Sequence, residues 1–457
     1  MKAAILTSPL TEKSFMSQLE ECFSVESLNS SLDDLIDGHF DVIAERPLIS
    51  TGADRVELDL FLRDREKHLS AAGRKVLSGR YTFSPFLERQ IPKDGTKEMR
   101  TISIASIRDA VVQRVMYKYL YPFVDERLSN GVVFGYRKGV SAHDAIRAIR
   151  GHFKNGLTYV FEADLQKFFD NVNHDVLLHM VSELEIDEKV ATLIRRFLKT
   201  GKVPSKQVEE HRANKGKQKK YQPEIRAIGV PQGGVLSGLL SNLYLAEFDA
   251  NLLKEHCGLV RYADDFLVCC ADKEECRNAH SLARNLLLPL KVSLHPSSKK
   301  TKECVLAESG VEFLGFQVFP DRVRVRGRNI AKFKDRVKKV VVNQKVYGTP
   351  EKTLRHLCNR LSFKIRGPND EQLQKYAERG KIISPCRRSW IGFFRIVDDI
   401  EQIRSLDRWI RRQVSQFMWK QHVYRVTLSD MQRCELPSLV NCLWKARKAK
   451  PLEAESK

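Results

Sequence analysis

The sequence has no pair of cysteines separated by two residues, although it contains ten cysteines. That absence argues against a zinc ribbon and against a dithiol redox centre. No apolar run approaches the roughly 20 residues of a membrane span, and the few apolar residues after Lys2 do not resemble a secretory signal. We therefore expect a protein of the reducing cytoplasm, with mostly buried thiols and no membrane contact.

Positive charge is what the sequence has in excess. The chain of 457 residues carries a formal net charge of +21. Residues 1–60 contain 4 Lys or Arg against 12 Asp or Glu, so the rest of the chain carries +29. A basic body of this size is typical of proteins that bind a polyanion, most often nucleic acid. The alternatives are a merely soluble basic protein and one that touches anionic lipid. The length indicates about two to four domains.

Two adjacent aspartates stand between apolar runs in "RYADDFLVCC", residues 261–270. Asp264 and Asp265 repel each other, and a buried charge is costly unless it is paired or binds a metal. Asp164 ends another apolar run in the same way. If the two runs are adjacent antiparallel strands with aligned ends, the carboxylates form a set of hard oxygen ligands for magnesium. A pair of such ions roughly 3.5–4 Å apart serves phosphoryl transfer. An Asp-Asp pair by itself is more often an ordinary turn.

Further motifs follow one another along the chain. They are "IPKDGTKEMRTISIASIRDAVVQ" (91–113), "FGYRKGVSAHDAI" (134–146), "FEADLQKFFDNV" (161–172), "GVPQGG" (229–234) with Ser237 and Asn242, "YADD" (262–265), "SSKKTK" (297–302) and "FLGF" (313–316). In this order they resemble a bacterial reverse transcriptase of the group II intron-like type. The joint set is far more specific than any single motif. The resemblance covers about residues 50–425, more weakly at both ends.

The resemblance implies an α+β fold, that of a right-hand polymerase with fingers, an antiparallel-sheet palm and a helical thumb. With the composition, it indicates a division into four parts: a small acidic helical N-terminal extension (1–50), fingers (51–156), a palm (157–320) with a basic insertion (200–226), and a helical thumb or X-like region (321–457). The insertion has 8 Lys or Arg against 3 Asp or Glu, which is typical of a solvated loop or an extended hairpin.

The resemblance also assigns the catalytic centre. Asp164 and Asp264 would hold two Mg²⁺ ions, for which Mn²⁺ is a possible substitute. Asp265 would be the nearby third carboxylate, and the backbone carbonyl of Leu165 a further ligand. Lys300 would protonate the pyrophosphate leaving group, a general-acid role, and its neighbour in the "SSKKTK" motif is equally basic.

Four residues would contact the incoming deoxynucleotide. Lys93 and Arg100 would grip the triphosphate, since cations stabilise charge on a transferring phosphoryl group; without the motif they would be ordinary surface charge. Phe169 would lie beneath the sugar and exclude a ribose 2′-hydroxyl, whereas the adjacent Phe168 is expected in the core. Gln232 would lie along the sugar and base, where the glycines that follow let the backbone approach closely.

Other residues would contact nucleic acid. Phe313, Leu314 and Gly315 would form a hairpin that supports the primer end. Basic residues of the thumb would contact phosphates; they are Arg322, Arg324, Arg326, Arg328, Lys332, Arg411 and Arg412. The tryptophans among them, such as Trp390 and Trp419, are expected to pack between helices.

Some features depart from relatives of this type. Many relatives have Ser-Pro where this chain has Ser237-Gly238, and a glycine there is expected to loosen the start of the helix. No paired cysteines follow and no His comes after His422, unlike an appended nuclease. The Val-Thr-Gly triplet typical of retron polymerases is missing as well. These differences favour a stand-alone, defence-associated reverse transcriptase.

The sequence therefore predicts an RNA-directed DNA polymerase that acts in antiphage defence. Its partners would be a structured non-coding RNA template, a primer or cDNA strand and deoxynucleoside triphosphates, and a homo-oligomer is possible. A group II intron-type maturase, an RNA-binding protein for splicing and mobility, is the alternative. An RNA-templated RNA polymerase is disfavoured by Phe169.

Overall fold

The computed structural model describes residues 18–41, 46–92, 98–206, 223–256, 258–296, 300–367, 374, 378 and 389–448. The chain divides into two compact units. The first unit comprises Met1–Ser141 and Phe161–Cys304, and the second comprises Ala142–Val160 and Val305–Lys457. Each unit is therefore built from two separate stretches of chain. The division into fingers, palm and thumb stays a prediction.

Strands in the described residues form small sheets in which antiparallel pairs dominate. The strands are β1 (Phe40–Asp41), β2 (Arg46–Pro47), β3 (Phe86–Pro92), β4 (Met99–Ile104), β5 (Tyr159–Asp164), β6 (Lys202–Pro204), β7 (Leu259–Tyr262), β8 (Asp265–Cys270), β9 (Lys302–Leu306), β10 (Val311–Phe313), β11 (Phe316–Val318) and β12 (Val323–Val325). Their orders are β1-β2, β4-β3-β6, β7-β8-β5-β9 and β10-β11-β12. The β3–β6 pair is parallel, whereas β3–β4, β7–β8 and both pairs of the last sheet are antiparallel.

Helices make up most of the remaining described structure. They are α1 (Val25–Gly38), α2 (Leu58–Arg63), α3 (Arg65–Leu77), α4 (Ile107–Arg127), α5 (Ala142–Lys154), α6 (Phe168–Asn171), α7 (His174–Ser182), α8 (Glu188–Leu198), α9 (Val235–Glu255), α10 (Lys273–Leu287), α11 (Gly327–Val342), α12 (Pro350–Arg366), α13 (Trp390–Phe393), α14 (Ile400–His422), α15 (Leu428–Arg433) and α16 (Leu439–Lys448). The mixture of helices and antiparallel sheets confirms the predicted α+β class.

Side-chain caps explain where two helices near the cavity begin. The Ser106 hydroxyl accepts a hydrogen bond from the backbone N–H of Asp109, so α4 begins at Ile107, as its sequence predicts. The Asn173 side chain accepts from the N–H groups of Asp175 and Val176 at the start of α7. Each cap satisfies N–H groups that the first helical turn leaves unpaired.

The core of the first unit surrounds the sheet that contains β5 and β8. Residues 266–270 of β8 are all fully buried, which is typical of a strand covered on both faces. Helix α10 packs against β8, and α9 packs against both α4 and α10. A rigid sheet therefore carries the polar residues that follow its strands.

The second unit contains the β10–β12 sheet followed by helices α11 to α16. Trp390 stacks on Phe333 with ring centroids 4.1 Å apart, as expected of a core aromatic. The prediction was wrong for Trp419, whose side chain is 58% exposed on α14. Its face of the helix points away from the packed neighbours, which the spacing of aromatics alone did not reveal. None of the helices in the described ranges combines the length and the hydropathy that a membrane span requires.

Candidate active site

A cavity of about 1220 Å³ opens in the first unit. Eight of the predicted site residues line it: Arg100, Asp164, Leu165, Phe169, Gln232, Asp264, Asp265 and Lys300. Lys93 lies outside the described residues. The predicted primer hairpin and the predicted basic contacts belong to the second unit. The structure thus brings together the catalytic and nucleotide-contacting candidates that it describes.

The ends of two neighbouring strands bring Asp164 and Asp264 together. Strands β5 and β8 lie side by side in the sheet, and Asp264 belongs to the turn that joins β7 to β8. The backbone N–H of Leu165 donates to the carbonyl oxygen of Asp264 at 3.4 Å. On the other side of β5, the N–H of His295 donates to the Asp164 carbonyl at 2.7 Å. The carboxylates therefore meet at one edge of the sheet, although 100 residues separate them in sequence.

Burial and neighbouring carboxylates raise the pKa values of Asp264 and Asp265. Burial and the charge of Asp164 raise the pKa of Asp264 above its ordinary value, against the opposing charges of Arg100 and Lys300. Asp265 still reaches solvent, but the protein atoms crowded around the turn reduce its hydration. That desolvation, together with the charges of Asp264 and Asp164, raises the pKa of Asp265. Unlike an exposed Asp-Asp turn, this arrangement concentrates negative charge that a cation would stabilise.

Lys300 supplies a positive charge at this edge. Its Nζ atom lies 2.7 Å from Oδ2 of Asp164. Partial burial disfavours the charged ammonium, but the hydrogen bond and charge of Asp164 outweigh it and raise the pKa of Lys300. Two residues earlier on β5, Glu162 pairs with Lys302 at 2.7 Å. Two cations, one at the start of β9 and one just before that strand, therefore oppose the acidic edge of β5.

The donor set fits magnesium bound with several of its waters. In the described part of the chain, no three His, Cys, Asp or Glu side chains are arranged to bind one ion directly. Magnesium commonly retains water and takes only one or two protein carboxylates together with substrate phosphates. The oxygens of Asp164 and Asp264 meet that requirement, and their mutual repulsion is what a divalent cation relieves. The chemistry of this edge is therefore compatible with such an ion.

The glycine-rich turn before α9 forms another wall of the cavity. The backbone N–H of Ser103 on β4 donates to the Gln232 carbonyl at 2.8 Å. The Ser237 hydroxyl donates to the Pro231 carbonyl at 2.6 Å and closes the turn onto the first turn of α9. Arg100, on β4, lies close enough to Asp264 for its charge to lower the pKa of that carboxyl. The turn and β4 thus place Gln232 and Arg100 in the lining of the same cavity.

The segment that contains Phe169 is fastened to the same turn. The N–H of Val230 donates to the Phe169 carbonyl at 2.7 Å, and the N–H of Gly229 donates to Val172. Gly229 has a φ of +83°, and a Cβ there would lie 2.7 Å from the Asp170 carbonyl oxygen, so only glycine fits. Phe168 is 1% exposed, which confirms it as a core residue, whereas Phe169 lines the cavity.

Arg261 is a residue of the site that sequence reasoning missed. Its side chain is fully buried, and its guanidinium binds both carboxylate oxygens of Asp249 at 2.6–2.9 Å. Its Nη1 also donates to the Asn242 side chain and to the Ala263 carbonyl, both at 3.0 Å. Arg261 therefore ties the turn that carries Asp264 to helix α9. An arginine between buried apolar neighbours was the available clue, because a buried cation needs a partner.

The "FGYRKG" motif also lies against this turn. Asn242 donates from Nδ2 to the Gly135 carbonyl at 2.9 Å. A Cβ on Gly135 would lie only 2.4 Å from the backbone nitrogen of Ala263, so the close approach requires glycine. Tyr136 follows and lines the cavity, where partial desolvation by the surrounding protein and the charge of Asp264 raise the pKa of its phenol. The motif supports the resemblance, but the sequence alone assigns no role to Tyr136.

In the second unit, several predicted nucleic-acid contacts form ion pairs within the protein. Arg322 pairs with Asp321 (2.9 Å), Arg324 with Asp399 (2.9 Å), Arg326 with Glu312 (2.7 Å) and Arg411 with Asp407 (3.2 Å). Their charges are partly compensated, and their contacts with phosphates stay a prediction. Strands β10 and β11 form the predicted hairpin, with Leu314 and Gly315 at positive φ in its turn.

Comparison with known proteins matches residues 91–318, just under half of the chain, to the family described as "Reverse transcriptase (RNA-dependent DNA polymerase)". Protein YkfC of Escherichia coli (strain K12) is 34% identical over 182 residues, 39% of this chain and 43% of YkfC. Group II intron-encoded protein LtrA of Lactococcus lactis subsp. cremoris is 30% identical over 192 residues, 41% of this chain and 29% of LtrA. The matched part thus spans less than half the length of these relatives. Among solved structures, a partial Cas6-RT-Cas1–Cas2 complex aligns with a TM-score of 0.34 at 21% identity, over 60% of this chain and 41% of that chain.

Proposed function

We propose that this chain, whose residues 91–318 form a reverse transcriptase domain with group II intron-encoded homologues, is an RNA-directed DNA polymerase. One observation carries the proposal: Asp164 and Asp264 meet at adjacent strand ends in a cavity that Phe169 and Gln232 also line. A protein that only binds RNA has no physical need for paired acids beside the ring of Phe169 and the strand that carries Arg100.

Metal binding is assigned to the acidic edge. Two magnesium ions, or manganese in their place, would be held by Asp164, Asp264 and the Leu165 carbonyl, with Asp265 beside them. Bound there, they would supply charge stabilisation for the attacking and leaving oxygens of phosphoryl transfer. The chain's own contribution there is to hold the carboxylates on rigid strand ends. Arg261 holds the turn in place through the Ala263 carbonyl.

The nucleotide is positioned by the other cavity walls. Arg100, with Lys93, binds the triphosphate, and Gln232 lies along the sugar and base. Phe169 fills the space that a ribose 2′-hydroxyl would need, so a deoxynucleotide is preferred. Lys300 transfers a proton from Nζ to the pyrophosphate that leaves, which prevents an unfavourable build-up of charge.

The polyanion partner is an RNA template with a primer or cDNA strand. The basic charge outside residues 1–60 supports this assignment. The roles of fingers, palm and thumb for residues 51–156, 157–320 and 321–457 belong to the same proposal, as does self-association through the acidic residues 1–50.

The test is the sequence of the product. Purified full-length protein is given an RNA of defined sequence, an annealed primer, all four deoxynucleoside triphosphates and Mg²⁺. DNA complementary to the RNA, absent without template, supports the proposal. Extension that ignores the template sequence, or that uses ribonucleotides equally well, contradicts it. Sequencing the nucleic acid that copurifies from cells identifies the natural template.

A role in intron splicing and mobility is the second candidate, and the similarity to an intron-encoded protein favours it. A maturase acts by binding and folding RNA, so loss of the acids does not disturb it. If the Asp264→Asn protein supports splicing of a group II intron as well as the unsubstituted protein does, the result supports the maturase function. Polymerisation is then incidental to that function.

A narrower proposal places the polymerase in antiphage defence. The Ser237-Gly238 sequence, which stands where many relatives have Ser-Pro, is the feature that supports it. Cells that express the protein should then form fewer phage plaques than cells that express Asp264→Asn. Equal plaque numbers contradict the defence role without touching the enzymatic one.

A further inference from the structure

Gly238, where the sequence predicts a loosened helix start, lies inside an unbroken helix. Helix α9 begins at Val235 and continues through Gly238 to Glu255, so the expected loosening was wrong. What the glycine provides instead is space. A Cβ at position 238 would lie 2.6 Å from both Cγ and Cδ1 of the Tyr136 ring and 3.1 Å from its Cδ2. The ring of Tyr136 thus occupies the place that any other residue at 238 would need.

The backbone fixes Tyr136 in this position. Tyr136 has a φ of +56°, in the left-handed region that bulky residues rarely adopt. The preceding Gly135 is pinned between Asn242 on α9 and the backbone of Ala263 in the catalytic turn. Because the backbone cannot shift without moving that turn, the ring is held against α9 by the main chain rather than by its own preference.

The same ring packs on Phe169. The two rings meet edge to face, with centroids 6.3 Å apart and planes at 89°, a geometry that aromatic pairs favour. Phe169 also packs on Phe168, with ring centroids 5.6 Å apart, and its carbonyl accepts a hydrogen bond from the N–H of Val230. Tyr136 remains 48% exposed and lines the cavity with Gln232 and Asp264.

We propose that Tyr136, in the space left by Gly238, is a second specificity-determining residue of the pocket for the sugar of the incoming nucleotide. Tyr136 holds the Phe169 ring in the position that excludes ribonucleotides. The inference rests on the proposed polymerase function and deepens it. A ring can exclude a single hydroxyl group only if its position varies by less than the width of that group. Without Tyr136, the cavity side of Phe169 is open and its ring is free to turn away.

The same arrangement couples positions 136 and 238. A methyl group at 238 must displace the Tyr136 ring toward the cavity, since the helix backbone lies behind it. A smaller side chain at 136 removes that conflict. The effect of Gly238→Ala therefore depends on which residue occupies position 136, and a double-mutant cycle measures the dependence.

The experiment compares Tyr136→Ala, Tyr136→Phe, Gly238→Ala and the Tyr136→Ala/Gly238→Ala double variant with the unsubstituted protein. The ratio of kcat/KM for a deoxynucleotide to that for the matching ribonucleotide is measured on one primer and RNA template. Tyr136→Ala should lower this ratio by about tenfold or more, mainly through better ribonucleotide use. Tyr136→Phe should retain the ratio, because the ring and not its hydroxyl meets Phe169.

Gly238→Ala should raise KM for the deoxynucleotide and lower the melting temperature in the Tyr136 protein, with a clearly smaller effect in the Tyr136→Ala background. Gly151→Ala is the matched control, since Gly151 is also helical and a Cβ there meets nothing within 4 Å. It should leave KM and melting temperature unchanged or slightly raise the latter.

Three results overturn the inference. One is a Tyr136→Ala ratio equal to that of the unsubstituted protein while Phe169→Val lowers it. Another is an equal effect of Gly238→Ala in both backgrounds. The third is loss of discrimination in Tyr136→Phe as large as in Tyr136→Ala. A protein that incorporates no deoxynucleotide at all defeats the proposed function itself, and the melting-temperature cycle then still shows whether the two positions are coupled.

Discussion

Nζ of Lys300 and Oδ2 of Asp164 lie 2.7 Å apart and join two cavity residues that are 136 positions apart in the sequence. The ion pair gives Lys300 two separable properties, a charge beside Asp164 and a proton near the leaving group. Arginine keeps the charge but does not give up a proton near neutral pH. The two substitutions Lys300→Arg and Lys300→Met therefore distinguish these properties.

The first prediction concerns proton donation. Both Lys300→Met and Lys300→Arg should lower kcat by about 10²-fold, the usual size of a general-acid contribution. Single-turnover incorporation in Mg²⁺ measures it. A kcat for Lys300→Arg equal to that of the unsubstituted protein contradicts proton donation and leaves Lys300 as the charge partner of Asp164.

The second prediction concerns metal binding without catalysis. The carboxylates of Asp164 and Asp264 repel each other, so an ion that binds the folded state should stabilise it. At a Mg²⁺ concentration of about 100 times its dissociation constant, the melting temperature should rise by several degrees, at about 2–4 °C for each kcal/mol of added stability. The shift should be smaller in Asp264→Asn. An equal shift in both proteins means that the ion binds elsewhere.

The third prediction concerns the buried pair of Arg261 and Asp249. Asp249→Asn leaves a buried guanidinium without its counter-charge and should cost about 3–5 kcal/mol of unfolding free energy. Asp33→Asn is the matched control, because Asp33 pairs with Arg65 at 3.1 Å on the surface. It should cost at most about 1 kcal/mol. Urea unfolding gives both values, and equal costs contradict the structural role of the buried pair.

The fourth prediction concerns the close approach of Gly135 to the catalytic turn. Gly135→Ala must displace the backbone of Ala263, which should cost about 1–3 kcal/mol and lower kcat. Gly348→Ala is the control, since a Cβ at Gly348 meets nothing within 4 Å. Thermal unfolding and primer extension on the same samples test both. A Gly135→Ala protein with unchanged kcat shows that the turn tolerates movement.

Much of the site could be predicted because it depends on local sequence. Asp164 and Asp264 each end an apolar run, and strand ends that share one edge follow from that pattern. The caps at Ser106 and Asn173 are likewise local, because a helix start depends on a few neighbouring residues. These elements therefore agree with their sequence-based predictions.

The rest depends on tertiary contacts between distant segments. Arg261 finds Asp249 on a helix twelve residues earlier, and only the fold shows that both are buried. In the sequence Gly238 suggests a defect in a helix, and only the structure shows that the ring of Tyr136, 102 residues earlier, fills the space beside it. The sequence predicts a core position for Trp419, although its side of α14 faces solvent. No local pattern encodes which partner fills a space.

The central claim is that Asp164 and Asp264 act together to transfer a nucleotide. The most direct measurement is the rate of single-deoxynucleotide incorporation on an RNA template in Mg²⁺, for the unsubstituted protein, Asp264→Asn and the surface control Asp33→Asn. The account predicts that Asp264→Asn loses at least about 10²–10³-fold in rate, whereas Asp33→Asn keeps the rate of the unsubstituted protein. Incorporation by Asp264→Asn at the rate of the unsubstituted protein would contradict it.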